Sequence, residues 1–577
     1  MKKLNTKNFL LLCSLLLSTY SFSQTKDPRS QQIRANVVPG QKLPEYKAVF
    51  NPTLPTTANR VLAPGIVDGP DVRMFPSSNV QAEVTIALNK SNPLNLLASA
   101  NTLNGPYAYN QGFYASLDGG ATWNGADVLQ KIITTQVYGD PTVSFSNDNT
   151  AFMTSINAGG GYWFQRSIDG GLNWSKGVRG DVGTGYDKGM SASDEVSTSP
   201  YVNYFYHSWT DFNSGGGAVV FNKSIDKGVT FTPKITLRSA TTGFGQGTNV
   251  QTGPNGEVYV CWADHTTVTP PYAATGMGFT RSIDGGTTFD AYRVIFPYTG
   301  IRVDGYSSTF GYTRVNDFPA MAVDKSNKLS RGNIYVVYAG KLNGTGKGTI
   351  YVSVSKNQGT TWTPSKAISI APATQAFFPW IAVDDSTGGV FVSYYAFDQA
   401  TGYSTNTYVA GSPNGGKTWI TQKASDVPHI TAPIDNVNFA YGYAGDYIGI
   451  TAYAGKLYPV WMDNRNGTWQ VYCSPMTVSA VLTGVAQTTT DAQSAATAES
   501  SKKLSISPNP FTGVIRISLP NTGITSVKLY NQSGVLVKQW SNPSSGSLNV
   551  GELAKGIYIL KATGSDNKLY TQKVVKE

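Results

Sequence analysis

Three features of the sequence predict an all-β fold. Glycine is very abundant (60 of 577 residues), aromatics are plentiful (33 Tyr, 24 Phe, 11 Trp) and only 14% of residues are charged. That composition suits short strands joined by tight turns and argues against disorder. No long amphipathic helical pattern is visible. Finally, the phrase Ser-x-Asp/Asn-x-Gly-x-x-aromatic recurs six times, at a spacing of about 50–75 residues that marks a repeat fold. Four-stranded units set radially make a β-propeller.

The chain begins with a leader. Lys2, Lys3 and Lys7 precede the apolar run Phe9–Leu17, and small or polar residues follow. This pattern predicts a signal peptide over 1–23, cleaved near Ser23, and the run is too short to span a membrane. Cys13 follows Leu12 rather than a small residue, which argues against a lipid anchor. Residues 24–59 are read as an N-terminal extension, and no later stretch reaches membrane length.

The six copies are "SLDGGATW" at Ser116, "SIDGGLNW" at Ser167, "SIDKGVTF" at Ser224, "SIDGGTTF" at Ser282, "SKNQGTTW" at Ser355 and "SPNGGKTW" at Ser412. Asp or Asn accepts hydrogen bonds from the turn that follows, Gly supplies positive φ, and the aromatic tucks into the apolar layer. The repeated acid is thus read as a turn staple. Around each copy the sequence reads strand, turn, strand, loop, strand, staple, strand. A seventh unit, "GDYIGITAYAGKLYPVWMDNRNGTWQVYCSPM", has three strand-like runs and no staple. Its fourth strand is expected from "GPDVRMFP" (Gly69–Pro76), which closes the ring and hides the edges. The prediction is seven blades over about 60–480, with six as the alternative.

The phrase resembles the Asp-box, or BNR repeat, of sialidase-like propellers. That resemblance implies a carbohydrate-active or carbohydrate-binding ring whose site lies on the face opposite the boxes. The chain departs from true sialidases, having no Phe/Tyr-Arg-Ile-Pro signature; "VRMFP" at Val72–Pro76 is a poor echo.

Residues 481–503 form a low-complexity linker. Residues 504–577 carry alternating strands and Asn/Gly turns, predicting a small β-sandwich. Pro508-Asn509-Pro510-Phe511, the Asn531–Gly534 turn, Gly556-Ile557-Tyr558 and the basic Lys573 and Lys576 resemble the type A sorting domain of the type IX secretion system of Bacteroidetes. The resemblance implies that secretion machinery as a partner, passage through the periplasm, and release or outer-surface attachment.

For the site, Asp140, Asp317 and Asp446 open inner strands of three units, which aims them toward a common mouth. They are the candidate catalytic carboxyls; the competing reading is that such an Asp caps a loop or bridges blades. Arg302, Arg314 and Arg465, with Tyr441, Tyr443 and Tyr447, lie in or beside long mouth loops and are the candidate substrate-binding residues. Arg pairs a carboxylate bidentately, and two carboxyls cleave a glycosidic bond. Glu83, Glu195 and Glu257 have no supporting motif. Arg166 and Arg281 precede staples and belong to the other face. His207 is read as strand packing; His265 and His429 as mouth-loop residues.

No metal-ligand spacing is present and no cofactor is expected. Cys261 and Cys473 are read as buried free thiols. The formal net charge is +10 without a basic run, so nucleic-acid binding is not expected. Two function classes follow: a secreted or cell-surface glycoside hydrolase, sialidase-like and exo-acting, on an extracellular glycan or glycoprotein, or a non-catalytic propeller binding glycan or protein.

Overall fold

The computed structural model describes residues 65–104, 109–129, 137–157, 161–213, 216–266, 272–303, 308–341, 346–369, 374–398, 403–434, 442–478, 504–519, 523–531, 535–543, 546–565 and 569–577. The leader, the extension, the linker and Tyr441 therefore lie outside the described residues. The chain divides into two compact units, Met1–Thr488 and Thr489–Glu577.

The first unit is all-β apart from one short 3-10 turn at Ser308–Phe310 among its described residues. Among the described residues seven antiparallel sheets follow one another, each built on four strands in meander order, with one or two further short strands added in three of them. Their innermost strands are Val80–Leu88, Val137–Phe145, Tyr186–Ser193, Phe244–Thr252, Ala320–Val323, Thr374–Asp384 and Gly449–Tyr453. Each innermost strand lies against the next, and the seventh lies against the first. The sheets therefore stand as blades around one axis. In the seventh blade the outer strand is Val72–Arg73, which pairs Val72 with Cys473 and Arg73 with Tyr472. Ile66–Val67 adds a second N-terminal pairing to Met476–Val478. The expected closure by "GPDVRMFP" is thus the one observed. Its physical reason is the open edge that three strands leave.

The boxes are hydrogen-bonded turns. In the second, Ser167 Oγ donates to Asp169 Oδ1 (2.7 Å) and accepts from Gly171 N (2.9 Å). Asp169 Oδ1 accepts from Asn173 N (2.9 Å), and Trp174 Nε1 donates to Gly171 O (3.1 Å). Gly171 has φ +95, and a Cβ there would stand 2.8 Å from Leu97.

The boxes also join blades, which the sequence did not suggest. The fourth box residue has positive φ in Gly170, Lys227, Gly285 and Gln358. Its carbonyl accepts a hydrogen bond from the preceding blade each time. The donors are Asn95 to Gly170 (2.9 Å), Arg166 to Lys227 (3.3 Å), Lys223 to Gly285 (2.8 Å) and Arg281 to Gln358 (3.0 Å). Strand registers set the boxes at the end where each inner strand finishes; Leu88 pairs Leu96, which pairs Ser116.

The second unit has two antiparallel sheets, one of three strands and one of four, around a core that includes Phe511, Ile515, Leu529 and Leu560. Alternation along Gly556–Gly564 sends every second residue inward. Cys261 and Cys473 are free and buried.

Candidate functional site

Five inner strands carry a bulge at one equivalent place: between Ala82 and Thr85, Gly139 and Thr142, Asp187 and Met190, Gln246 and Asn249, and Phe377 and Trp380. The extra residue has positive φ: Glu83 (57°), Asp140 (51°), Lys188 (47°), Gly247 (69°) and Phe378 (49°). Such a bulge re-aims a side chain. A non-glycine residue there costs about 1–3 kcal/mol of strain, which marks a position held for a purpose.

Three of these residues are charged, and they meet. Lys188 N donates to Asp140 Oδ2 (2.7 Å). Glu83 accepts from Tyr443 OH (2.9 Å) and Asn101 Nδ2 (2.7 Å) and shares a hydrogen bond with Asp140. The Lys188 ammonium lies 3.3 Å from the Tyr447 ring centroid, 5.6 Å from that of Trp380 and 5.9 Å from that of Phe318. Tyr447 is fixed by its own bond to Pro141 O (3.1 Å). Beside them Asp446 accepts from Arg314 Nη2 (2.7 Å) and Asn316 Nδ2 (3.0 Å), and the Arg314 guanidinium stands 5.2 Å from the Tyr443 ring centroid. All of these groups are buried except Trp380, which is half-buried.

The electrostatics follow from that burial. Burial, then the charges of Asp140 and Asp446, pushes the Glu83 carboxyl well above the usual range. Burial also raises Asp140, opposed by the Lys188 ammonium and by the proton Glu83 donates to it. Burial pushes Lys188 down to about 8, against the pull of Asp140, Glu83 and Asp446. The site thus holds a proton-sharing carboxyl pair beside a carboxylate fixed by arginine.

The predicted residues divide accordingly. Asp140, Asp446, Arg314, Tyr443 and Tyr447 converge on the axis. Asp317 does not join them: it is enclosed, accepts from Ala274 N (2.7 Å) and lies 3.5 Å from the Arg302 guanidinium. It is the loop cap of the competing reading. Arg302 is held by that carboxyl and by Gln246 (2.8 Å). Arg465 lies apart, in the closing blade, bound to Asp71 (2.6 Å) and Asp463 (2.6 Å). Its guanidinium is spent on the chain's own carboxylates rather than offered to a ligand. His265 and His429 are buried side chains rather than mouth-loop groups: His265 stacks on Phe244 (4.1 Å), and His429 packs on Tyr395. His207 packs on Tyr162 and Trp209, as the strand reading had it. Glu83 and Lys188 were missed. The signal for them was positional: Ala82-Glu83-Val84 and Asp187-Lys188-Gly189 align with Gly139-Asp140-Pro141 on the inner strands. Among the described residues no group of three or more His, Cys, Asp or Glu side chains is placed to hold a metal.

Below this cluster the axis opens into a cavity of about 170 Å³ lined by Ile86, Val143, Ala192, Met321, Ile381 and Ile450 among others. Four charges at its edge tie blades together across the axis. Lys90 pairs with both Glu195 and Asp385, and Lys325 pairs with Glu195 (2.9 Å). Burial works to raise the Glu195 carboxyl, but Lys325 and Lys90 overcome it and hold it at about 2. The folded value lies below the unfolded one of 4.5, so this stabilisation is complete above the unfolded value and is lost as pH falls through the folded one. Glu195→Gln is expected to melt below wild type at neutral pH, with the gap narrowing as the medium is acidified through that window. A pH-independent gap in calorimetry would contradict the assignment.

Among solved structures, a protein of unknown function from Dyadobacter fermentans is 14% identical, covering 72% of this chain and 100% of its own, with a TM-score of 0.43. An α-L-arabinofuranosidase of Fusarium graminearum is 14% identical over 57% of this chain and 92% of its own, at a TM-score of 0.37. An intramolecular trans-sialidase from Ruminococcus gnavus is 14% identical over 72% of this chain and 98% of its own, at 0.35. No curated protein matches the chain. Residues 505–577 match the secretion system C-terminal sorting domain. Those residues, with the two-sheet core described above, are a sorting domain of the type IX system, which directs the chain to the cell surface or out of the cell.

Proposed function

We propose that the exported ring is a glycan-directed glycoside hydrolase whose acid is the Glu83–Asp140 pair and whose fixed carboxylate is Asp446. One observation carries this reading: carboxyls at one axis have contrasting surroundings, Glu83 being pushed well above its usual range by burial and Asp446 paired to Arg314. Carboxyls whose surroundings differ in this way are how one site supplies both an acid and a base or nucleophile. Lys188 holds Asp140 as the carboxylate that takes back the proton.

Glu83→Gln is the sharpest test. Gln keeps the volume and still donates to Asp140, but it has no proton to transfer. Turnover of aryl glycosides or sialosides is expected to fall about 100-fold or more with the melting point unchanged. Full turnover in Glu83→Gln, on a substrate that wild type cleaves, would remove Glu83 from the mechanism.

A second reading is favoured by the arginines. Arg314 and Arg465 are each already engaged by carboxylates of the chain. If wild type cleaves no member of a glycan panel yet binds one through this mouth, the ring is a binding module instead.

A further inference from the structure

The four-stranded sheet of the sorting domain has two edges, and they differ. Along one, Leu569–Lys576, the domain covers itself. Phe511 N donates to Val575 O (2.8 Å), Glu577 N donates to Phe511 O (3.0 Å), and Asn509 Oδ1 accepts from Val575 N (2.9 Å). The other edge is Leu536–Ser541, and among the described residues no strand pairs with its outer side. Asn542 N donates to Thr525 O (2.8 Å), so the alternation of an antiparallel ladder turns the N–H groups of Gln539 and Ser541 outward.

Native edges are commonly blunted by a charge or a proline. This strand, LVKQWS, has no proline, and its one charge is drawn aside: Lys538 pairs with Glu552 and lies 5.7 Å from the Trp540 ring centroid. The edge opens instead on three aliphatics in succession, Val535 (57% exposed), Leu536 (43%) and Val537 (38%). They meet at a bulge: Lys538 faces Leu529 and Leu536 faces Tyr530, which leaves Val537 as the extra residue and re-aims its side chain.

We infer that Leu536–Ser541 is the strand to which the type IX export machinery adds an extended segment of its own, seating apolar side chains on Val535, Leu536 and Val537. Main-chain hydrogen bonds give such an addition its affinity, and alternate side chains give it choice. The occupant follows from the task of the domain. Residues 505–577 match a secretion system sorting domain, so the machinery takes hold of this unit. The outer strands of its other sheet, Ser505–Ser507 and Ser547–Asn549, have three residues each and offer little ladder to pair with.

The test is export of the full chain from a host with type IX secretion. Gln539→Pro removes an outward N–H without taking a bond from Ile524–Asn531. Joint Leu536→Lys and Val537→Lys charges the edge. Each variant should leave most of the chain in the periplasm, while the purified protein keeps the wild-type melting point. Val514→Lys, at a comparably exposed aliphatic (51%) of the other sheet, should be exported normally. Hydrogen exchange in the purified wild-type chain should be fast at Gln539 and Ser541. Normal export of the lysine variant overturns the inference, as does equal retention of Val514→Lys. Slow exchange at those two amides would mean that the chain covers this edge itself. A dimer dissolved by Gln539→Pro with export intact would give the edge to a second copy. Either result overturns the inference as well.

Discussion

Arg314→Met is expected to destabilise the ring by about 3–5 kcal/mol, the cost of leaving a buried carboxylate without its cation. Asp446 loses its paired guanidinium in that variant while the hydrogen bond from Asn316 stays, and both partners of the lost pair are buried. Met fills much of the guanidinium's volume, so the loss reports charge rather than a void. The double substitution Arg314→Met with Asp446→Asn should recover a large part of it, because a neutral amide needs no cation. Urea denaturation of the four proteins of this cycle measures the coupling. A coupling near zero would mean that Asp446 is solvated in the folded protein and that the axis cluster is not the closed unit described above.

Arg465→Ala is expected to be as severe, for a different reason. One guanidinium serves two carboxylates: Asp463 receives Nε (2.9 Å) and Nη2 (2.6 Å), while Asp71 receives Nη1 (2.6 Å). It also lies 4.3 Å from the Tyr472 ring centroid. Asp71 stands directly before the closing strand; its backbone N–H donates to the Asp426 carboxylate (2.9 Å), and its own carboxylate accepts from Asp426 N (2.7 Å). Removing Arg465 leaves two buried acids facing each other, again about 3–5 kcal/mol. Arg465→Lys should restore only part of this, since an ammonium cannot fork between two carboxylates. Hydrogen exchange at Val471–Cys473 should rise most, because those amides lose protection when Val72–Arg73 detaches. Uniform exchange changes around the ring would show that Arg465 does not lock the closure.

Much of the architecture was legible because it is local. Ser-x-Asp-x-Gly-x-x-Trp completes its hydrogen bonds within eight residues, so "SIDGGLNW" states its own turn. The closing strand was legible from a deficit: the last unit had three strands, and a short β-rich segment stood free at the other end. The axis was harder to read. Glu83, Asp140 and Lys188 adopt positive φ, a conformation usually signalled by glycine. The fate of Arg465 was illegible because its partner Asp71 is 394 residues away. An arginine in a long loop reads as available until the chain closes on it.

The bonds from each blade to the next box have a polarity. In the four described instances the donor lies earlier in the chain and the accepting carbonyl later. Along the chain, each of these blades is thus tied to the one that follows it. Only the last step runs backward, when the seventh sheet takes Val72–Arg73 from the beginning. The ring is thus a directed series of links with one return link, and that return joins its two ends.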